Sequence, residues 1–578
     1  MSPSSSYHYE HLQSRELESA FELDDAYNSA LDHDPPGSLP DEDDDAASLL
    51  SDHHDQQTLL PSTHHANSSS TSVFSFDVIP MIPLTQTQAR APELQKKVSF
   101  FNGLSLVIGA MIGSGLFSSP GPVLEATHSA PGTALVIWFI SGLLALSGAL
   151  CYAELGTMLP MNGGEAVYLN RAFGSLVSFM FEFVSIVVQK PGSIAIVCIV
   201  FGEYVSRIAY HTYFFKIPHD TDASVELADA VIPGFLPKLL AIVSLLILSV
   251  INAFSIRAGI RVQDVLTVLK VLTATVISVI GFVILAKGPI AGNSFQVEAP
   301  FADIDVMTYG QYALAFYSGL WAYDGWNNLN YVAGEMNNPH RDLPRVIMFG
   351  IPTVILAYLL ANVAYLAVLR PEVIMHTNTV AMDFGKKLFG PTGGILFAVC
   401  VALSCFGTAN ASVFTGARII YVSAKQGHLP GFFGKLNTSR QTPLTAILLQ
   451  AGLTTLLILV GSFRGLVNFY SLCAWFFYFL AVLSLLILRY KEPDLKRPYR
   501  VWLSTPVLFC VVALFLCTTP FIEAPFESLA ALGFVLLAIP IWLIHVKYRQ
   551  AIANFWHDIV RRFQRRSKEY QNMEMVYT

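Results

Sequence analysis

An apolar stretch that is interrupted in its middle constrains this chain more than any other feature. Residues 101–121 read FNGLSLVIGAMIGSGLFSSPG, which is hydrophobic enough to begin a membrane span. Gly113, Ser114 and Gly115 fall where the centre of a bilayer would lie. Because glycine costs a helix about 1 kcal/mol relative to alanine, the pattern predicts two half-helices separated by a short irregular segment.

This interruption has two interpretations. Irregular backbone at membrane depth is stable only where it is buried in protein or lines a cavity. The N–H groups that open the second half-helix, on Leu116 and Phe117, would then face an anion with a favourable dipole behind them. Discontinuous helices of secondary transporters hold a substrate carboxylate in this way. The alternative is a face of small residues that packs against a neighbouring helix.

Composition assigns most of the chain to a membrane. Of its 578 residues, 53% are hydrophobic and 13% are charged, whereas a soluble domain carries about 25% charged residues. The acidic residues concentrate in residues 1–97, which are too polar to form a core and are predicted to be a disordered cytoplasmic tail. All seven cysteines lie inside apolar segments, so they are expected to be buried thiols instead of disulfide or zinc ligands.

From residue 98 the pattern predicts an all-α polytopic membrane protein with about twelve transmembrane helices. The predicted spans are 100–126, 132–158, 174–208, 236–256, 262–286, 308–335, 345–369, 390–422, 443–461, 466–489, 503–520 and 528–547. With the N-terminus inside, Lys and Arg are roughly threefold more frequent on the cytoplasmic side, so both termini are expected to be cytoplasmic. The plasma membrane is the default location. The basic C-terminal tail, 549–578, either lies on the inner leaflet as an amphipathic helix or is solvated.

A second interruption falls in the sixth span. Residues 316–330 read FYSGLWAYDGWNNLN and place Asp324 and three asparagines at membrane depth, where polar residues face a cavity or a protein interior. Broken helices five spans apart indicate two inverted repeats with a binding site between them. The predicted transporter domain, 98–548, then contains repeat one (about 98–286), repeat two (about 308–489) and two extra helices (about 503–547). A channel is disfavoured, since no repeated carbonyl filter is apparent.

Three further charges lie inside predicted spans. Glu182 and Lys190 are eight residues apart on span three, hence on roughly one helix face, and an ion pair between them is favoured. Lys270, in the middle of span five, has no obvious partner nearby in the sequence. A site role and a purely structural role both stay open for it.

Several motifs together resemble one family. They are GAMIGSGLFSSPG, GALCYAELGTMLPMNGGEAVYL, GLWAYDGWNNLNYVAGEMNNPHRDLPRVI, LSCFGTANASVFTGARIIYVSAKQGHLP and KEPDLKRPYRV. In this order they resemble the L-type amino-acid transporters, the light-chain branch of the amino acid–polyamine–organocation superfamily. The resemblance covers about residues 98–548. It implies a LeuT-like fold of two inverted five-helix repeats, with broken helices 1 and 6, that works by alternating access.

The resemblance implies where a substrate backbone would bind. Met111, Ser114 and Gly115 match the family residues that receive the substrate carboxylate. Backbone carbonyls near Met111, Trp321 and Asp324 match those that receive the α-ammonium group, and Trp321 matches an aromatic gate over the substrate.

Further roles follow from the same resemblance. Asn327 matches a gating asparagine, and Leu472 and Trp475 match positions beside the side-chain pocket. Lys270 matches the lysine whose ammonium group takes the place of a sodium ion in sodium-coupled relatives. A fixed positive charge there would make sodium binding unfavourable.

The sequence departs from the light-chain pattern in two places. Many light chains carry a cysteine between spans three and four that forms a disulfide bond with a heavy chain, but residues 209–235 contain none. The acidic tail is also unusually long. Both departures suggest a single-subunit relative similar to fungal amino-acid and methionine permeases, with no disulfide-linked heavy chain.

The expected function is sodium-independent transport of L-amino acids across a membrane. Large neutral substrates are favoured, with methionine among the candidates. Cationic amino acids stay open as substrates, because the Asp324 carboxylate either offers them a counter-charge or caps the second half of the broken span. The alternative is an amino-acid-sensing receptor of transporter fold that signals through its tail. No enzyme activity, metal, cofactor or nucleic-acid partner is expected, since no catalytic constellation or phosphate loop stands out.

Overall fold

A computed structural model of the chain describes residues 99–161, 163–213, 232–254, 256–288, 293–296, 300–301, 307–425, 427–437 and 442–544. The predicted acidic and basic tails lie outside the described residues. Within them the regular elements are helices, as the predicted all-α polytopic fold requires.

The helices are numbered here in chain order. The first half contains α1 (Phe100–Met111), α2 (Gly115–Ser118), α3 (Pro120–Ala126), α4 (Pro131–Met158), α5 (Glu165–Phe173), α6 (Ser175–Val184), α7 (Lys190–Tyr213), α8 (Phe235–Phe254) and α9 (Ile256–Lys287). The second half contains α10 (Tyr309–Ala322), α11 (Pro339–Val368), α12 (Pro371–His376), α13 (Val380–Lys425), α14 (Leu444–Val460), α15 (Phe463–Lys491), α16 (Ser504–Thr518), α17 (Pro520–Glu523) and α18 (Pro525–Ile544).

Ten helices in the described part are long and apolar enough to cross a membrane. The two remaining predicted spans are α14, which has 17 residues, and the broken sixth span. The spans of the sequence prediction therefore all correspond to helical segments. The division into two repeats stays a prediction.

The first break is where the sequence predicts it. Helix α1 ends at Met111 and α2 begins at Gly115, so the residues between them are not helical. From Met111 to Leu124 every residue is buried, which places the second half-helix inside the bundle on all sides. The break is thus enclosed by protein, as unpaired backbone at membrane depth requires.

The sixth span breaks after Ala322. Helix α10 begins with a capping box, in which the Thr308 hydroxyl accepts the Gln311 N–H and the Gln311 side chain accepts the Thr308 N–H. Beyond the break the chain forms a 3-10 helix, Asn328–Glu335, where an α-helical half was expected. Gly325, with φ of +102°, turns the chain at this point in a conformation that favours glycine.

Two further irregularities were not predicted. A π-helical turn, Ser185–Gln189, separates α6 from α7, and Gly390 (φ +69°) kinks α13 just before Pro391. The π turn rotates Lys190 away from Glu182, whose carboxylate instead contacts His428 Nδ1 at 2.7 Å. The predicted ion pair between Glu182 and Lys190 is therefore wrong.

Packing around the breaks comes from three long helices. Helix α11 packs against α1, α4 and α9, and α13 packs against α7 and α9. Helix α15 contacts α5, α10 and α16. At one end of α15, Arg489 donates from Nε to the fully buried Glu154 at 2.9 Å, and the Val501 N–H donates to the same carboxylate at 2.8 Å. The family-like motifs that contain Glu154 and Val501 are thus joined by a buried hydrogen bond.

Candidate functional site

The two breaks lie side by side, and one tyrosine holds them together. The hydroxyl of Tyr358, on α11, lies 2.6 Å from the Met111 carbonyl oxygen and 3.0 Å from that of Ala322. These carbonyls end α1 and α10, so each would lack an intrahelical partner. The Tyr358 side chain is fully buried, which fixes the spacing of the two breaks.

Gly115 makes the closest approach between the breaks. A Cβ atom at this position would lie 2.4 Å from Ala322 Cα, a distance that no side chain can adopt without movement of the backbone. Gly115 is required where the two broken helices pack against each other.

Amide groups in the first break are left without acceptors. The Ile112 N–H closes α1 onto Ile108, and the Phe117 N–H donates to the Ser114 carbonyl at 3.0 Å. Between them, the described part of the chain offers no acceptor for the N–H groups of Ser114, Gly115 and Leu116. The predicted free amide of Phe117 is thus wrong, whereas that of Leu116 agrees with the structure. Buried N–H groups in this state suit an anionic ligand.

Lys270 reaches the first break from α9. Its side chain is 2% exposed and its ammonium group donates to the Gly109 carbonyl oxygen, in the last turn of α1. Lys270, for which the sequence suggests no partner nearby, is thus held by α1. A cation at the C-terminal end of a half-helix is favoured by the helix dipole.

Asp324 lies in the sixth break and is held from α15. Its Oδ2 accepts from the Tyr470 hydroxyl at 2.9 Å and its Oδ1 from the Tyr478 hydroxyl at 3.1 Å. Both of these bonds run to another helix, and the choice between a counter-charge and a cap of its own segment stays open. Lys190 is the cation that acts most strongly on this carboxylate, although the two form no direct ion pair in the described structure.

Open space borders Asp324. Its side chain and that of Lys190 are only partly buried, while Trp321, Trp326 and Asn327 around them are buried. The Trp321 ring stands edge-on to Tyr470 with 5.0 Å between ring centroids. Its buried Nε1–H has no acceptor in the described structure. An unsatisfied donor next to a partly exposed carboxylate indicates a polar cavity.

Asn327 contacts a residue that sequence reasoning missed. Its Nδ2 lies 2.6 Å from Oε1 of Glu165, the first residue of α5, and both side chains are buried. Three residues further on, the Asn330 Oδ1 accepts from the Tyr168 hydroxyl at 3.3 Å. The segment after the sixth break is therefore tied to α5 through side-chain hydrogen bonds.

The predicted pocket residues on α15 are both buried. The Trp475 ring packs against Phe509 of α16 and against Tyr478, with centroid separations of 5.5 and 5.7 Å. Trp475 is thus linked to Asp324 indirectly, since it packs against Tyr478, whose hydroxyl donates to Asp324. Leu472 is buried on the same helix, and its contact with a substrate stays a prediction.

Most of the missed site residues carried a weak signal in the sequence. Tyr470 and Tyr478 are eight residues apart, which places them on one helix face. Glu165 directly follows two glycines in one of the family-like motifs, and the motif gave no reason to single it out. Tyr358 stands in an apolar run that gave no reason to single it out.

Comparison with known proteins identifies the family of the chain. The model of the family described as "Amino acid permease" matches residues 98–544. The mouse b(0,+)-type amino acid transporter 1 is 37% identical over 464 residues, covering 80% of this chain and 90% of the relative. The human b(0,+)-type amino acid transporter 1 is 36% identical, with coverages of 80% and 90%. The mouse large neutral amino acids transporter small subunit 2 is 33% identical, with coverages of 81% and 84%.

The family-model match extends over more than three quarters of the chain and includes both breaks, Lys270 and the α15 tyrosines. The relatives share a third or more of their aligned residues with it across most of their own length. The resemblance inferred from the motifs is confirmed, and the chain belongs to the amino acid permease family of polytopic membrane transporters.

Proposed function

We propose that this protein is a sodium-independent secondary transporter of L-amino acids that works by alternating access. The observation that carries this proposal is the pair of broken helices joined through Tyr358. The first break contains unpaired amide groups, and the sixth contains a carboxylate beside open space. A receptor without transport needs no such pair of movable half-helices. It also needs a signalling element, and the acidic tail lies outside the described residues.

The backbone of the substrate binds at the first break. Its carboxylate accepts from the free N–H groups of Ser114, Gly115 and Leu116, and the hydroxyl of Ser114 lies in the same segment. Its ammonium group donates to carbonyl oxygens near Met111, Trp321 and Asp324. The Met111 carbonyl already accepts from Tyr358, but a carbonyl oxygen has two lone pairs and can accept a second bond.

Lys270 replaces a coupling ion in this mechanism. Its ammonium group donates to the Gly109 carbonyl and supplies a fixed positive charge beside the first break. A sodium ion at the same place would meet this charge inside a low-dielectric bundle, where repulsion is strong. Transport is therefore independent of sodium.

The substrate side chain extends toward the sixth break, where Trp321 covers it and Leu472 and Trp475 contribute to the pocket wall. Large neutral amino acids, methionine among them, fit an aromatic and apolar surrounding of this kind. Asn327 then acts as part of the gate on the side of α5.

Asp324 supports cationic amino acids as a second substrate class. Its carboxylate is partly exposed and is held by two neutral hydroxyl groups, so it can still accept from a substrate ammonium or guanidinium group. The b(0,+)-type transporters named above are the relatives with the higher identity. Asp324 is thus the residue proposed to decide between neutral and cationic substrates.

The protein is proposed to work in the plasma membrane with both termini in the cytoplasm, and without a disulfide-linked heavy chain. One relative is named a small subunit, yet residues 209–235 of this chain contain no cysteine. All seven cysteines are free thiols inside helices. A partner would have to bind without a disulfide bond in that loop.

Transport into proteoliposomes tests the proposal. The purified protein is reconstituted with and without unlabelled internal substrate, and uptake of a panel of radiolabelled amino acids is measured in sodium and in choline. We expect uptake of large neutral amino acids in both salts. Specific binding with no uptake under any condition would favour the receptor instead.

A further inference from the structure

A fully buried glutamate lies next to the proposed gate without a cation to pair with. Glu165 is 0% exposed, and one oxygen of its carboxyl group receives the Asn327 contact at 2.6 Å. The other oxygen, Oε2, has no hydrogen-bond partner in the described structure. No Lys or Arg described here lies within ion-pair distance of it. Burial of an ionised carboxylate in this state is costly.

The titratable groups that act on this carboxyl group come from several elements. Tyrosine hydroxyls approach from α4 (Tyr152), from α5 itself (Tyr168) and from the 3-10 helix (Tyr331). Lys190 of α7 attracts both Glu165 and Asp324, and its ammonium group lies 5.6 Å from the centre of the Tyr331 ring. Tyr470 and Tyr478 of α15 face it from further away and hold Asp324.

The charges of this cluster balance only when one carboxyl group is neutral. Lys190 carries one positive charge, whereas Asp324 and Glu165 together would carry two negative charges. Asp324 is the better-stabilised anion, since it accepts from two hydroxyls and is partly exposed. Glu165 has one amide contact and no exposure, so burial raises its pKa above the ordinary glutamate value.

The contact with Asn327 is compatible with a protonated carboxyl group. An amide side chain offers a donor on one side and an acceptor on the other, and a half-turn exchanges them. With Glu165 neutral, its O–H donates to the amide oxygen, and a separation of 2.6 Å is typical of an O–H···O bond. The same contact thus forms without a buried net charge.

We propose that Glu165 is a proton-binding site that takes up one proton each time the α5 side of the substrate site closes. This inference rests on the proposed function, in which Asn327 moves with the broken sixth span. When the site opens on this side, water reaches the carboxyl group and the ionised form is favoured. When it closes, the carboxyl group is buried against Asn327 and must be neutral.

The sign of the pH dependence follows from this cycle. Below the raised pKa of Glu165 in the closed state, the closed arrangement forms without cost. As the pH rises above this value, the proton concentration falls. Protonation of Glu165, which closure requires, then becomes less favourable. Transport that includes this step should then slow by up to about tenfold per pH unit, until another step limits the rate.

Counterflow of radiolabelled leucine into proteoliposomes tests the site, with equal pH on both sides and a series from acid to alkaline. Wild-type counterflow should fall as the pH rises, whereas Glu165→Gln, a permanently neutral and nearly isosteric variant, should keep the rate that the wild type shows at the acid end. At alkaline pH the variant should therefore be faster than the wild type. Glu182→Gln changes a carboxyl group that contacts His428 instead, and it should keep the wild-type decline.

Several outcomes would overturn the proposal. They are a parallel decline of wild type and Glu165→Gln, a folded Glu165→Gln protein that is inactive at every pH, or loss of the decline in Glu182→Gln alone. If Glu165→Gln fails to fold, Tyr331→Phe replaces it. The Tyr331 hydroxyl faces this carboxyl group and favours its ionised form, so its removal should move the midpoint of the decline to higher pH, and an unchanged midpoint contradicts the site.

Infrared spectroscopy separates this inference from the proposed function. A protonated carboxyl group has a C=O stretching band that a carboxylate and an amide lack. The band that differs between wild type and Glu165→Gln should titrate with a midpoint above the usual value for glutamate, about 4.3. This result is expected even if no leucine counterflow is found, in which case the transport proposal alone fails. The absence of such a difference band would overturn the proton site.

Discussion

The first and the sixth span break side by side, but the two breaks are built from different groups. The first break contains no charged residue between α1 and α2, and its closest contact with the sixth span is made through backbone atoms. The sixth break contains Asp324 and Asn327, whose side chains are held by α15 and α5. The Tyr358 hydroxyl lies within hydrogen-bond distance of both.

This difference separates two tasks of an amino-acid carrier. Backbone N–H and C=O groups recognise the carboxylate and ammonium groups that every amino acid has, so the first break needs no particular side chain. Charged and aromatic side chains discriminate among substrate side chains, and these are concentrated in the sixth break. Changes in the first break should therefore affect all substrates equally, whereas changes in the sixth should affect some more than others.

The largest effect is expected from Gly115→Leu. A side chain there collides with the backbone of Ala322 and separates the two breaks, so binding of every substrate and thermal stability should both be lost. Gly113→Ala is the matched control, because its Cβ would meet the nearest atom of Thr408 at 3.5 Å, an ordinary contact. Leucine uptake and the melting temperature of the purified variants test this pair. Full activity of Gly115→Leu would show that the breaks are further apart in the working protein.

Lys270→Ala should have the next largest effect. It leaves the Gly109 carbonyl without its buried donor, at a cost of about 1–3 kcal/mol, and removes the charge that replaces an ion. Turnover should fall for all substrates alike, with expression retained. Lys287→Ala, at the exposed end of the same helix, is the control. In the wild type, replacement of sodium by choline should leave uptake unchanged, and strong sodium dependence would contradict the role of Lys270.

The sequence predicted the first break better than the sixth for a physical reason. Gly113, Ser114 and Gly115 disfavour a helix through their own local properties, and local properties are visible in a sequence. The partners of Asp324 and Asn327 lie about 150 residues away along the chain in either direction. Such pairs depend on tertiary packing, so neither Tyr470 nor Glu165 was identified.

The predicted ion pair in the membrane failed for the same reason. Eight residues of regular α-helix would bring Glu182 and Lys190 to one face, but the π turn between them changes the register. Lys270 has no obvious partner nearby in the sequence, and its acceptor is a backbone carbonyl of α1, 161 residues away along the chain. The charge of Lys270 alone did not indicate which group it contacts.

Asp324→Asn tests the discriminating role of the sixth break. A substrate cation would lose a charge-assisted hydrogen bond, which corresponds to roughly a fivefold to hundredfold loss of affinity. Competition by lysine or arginine against labelled leucine should weaken by this factor. Competition by unlabelled methionine is the internal control and should change little. An equal loss for all competitors would mean that Asp324 only maintains the shape of the break.

The smallest effect, and the one of opposite sign, is expected from Tyr478→Phe. The variant keeps the aromatic ring that packs against Trp326 at 4.9 Å and removes the hydroxyl that donates to Asp324. One carboxylate oxygen then becomes available to a cationic substrate, so lysine should compete about twofold to tenfold more strongly, in line with a hydrogen bond of about 0.5–1.5 kcal/mol.

The double variant decides whether this gain passes through the carboxylate. If Tyr478 acts on cations only by occupying an oxygen of Asp324, then Tyr478→Phe should add nothing in an Asp324→Asn background, and the two single effects should not sum. Lysine competition is measured for the wild type, both single variants and the double variant under the same conditions. Additive effects would show that Tyr478 influences the pocket independently, and the sixth break would then discriminate through its aromatic wall as well as through its charge.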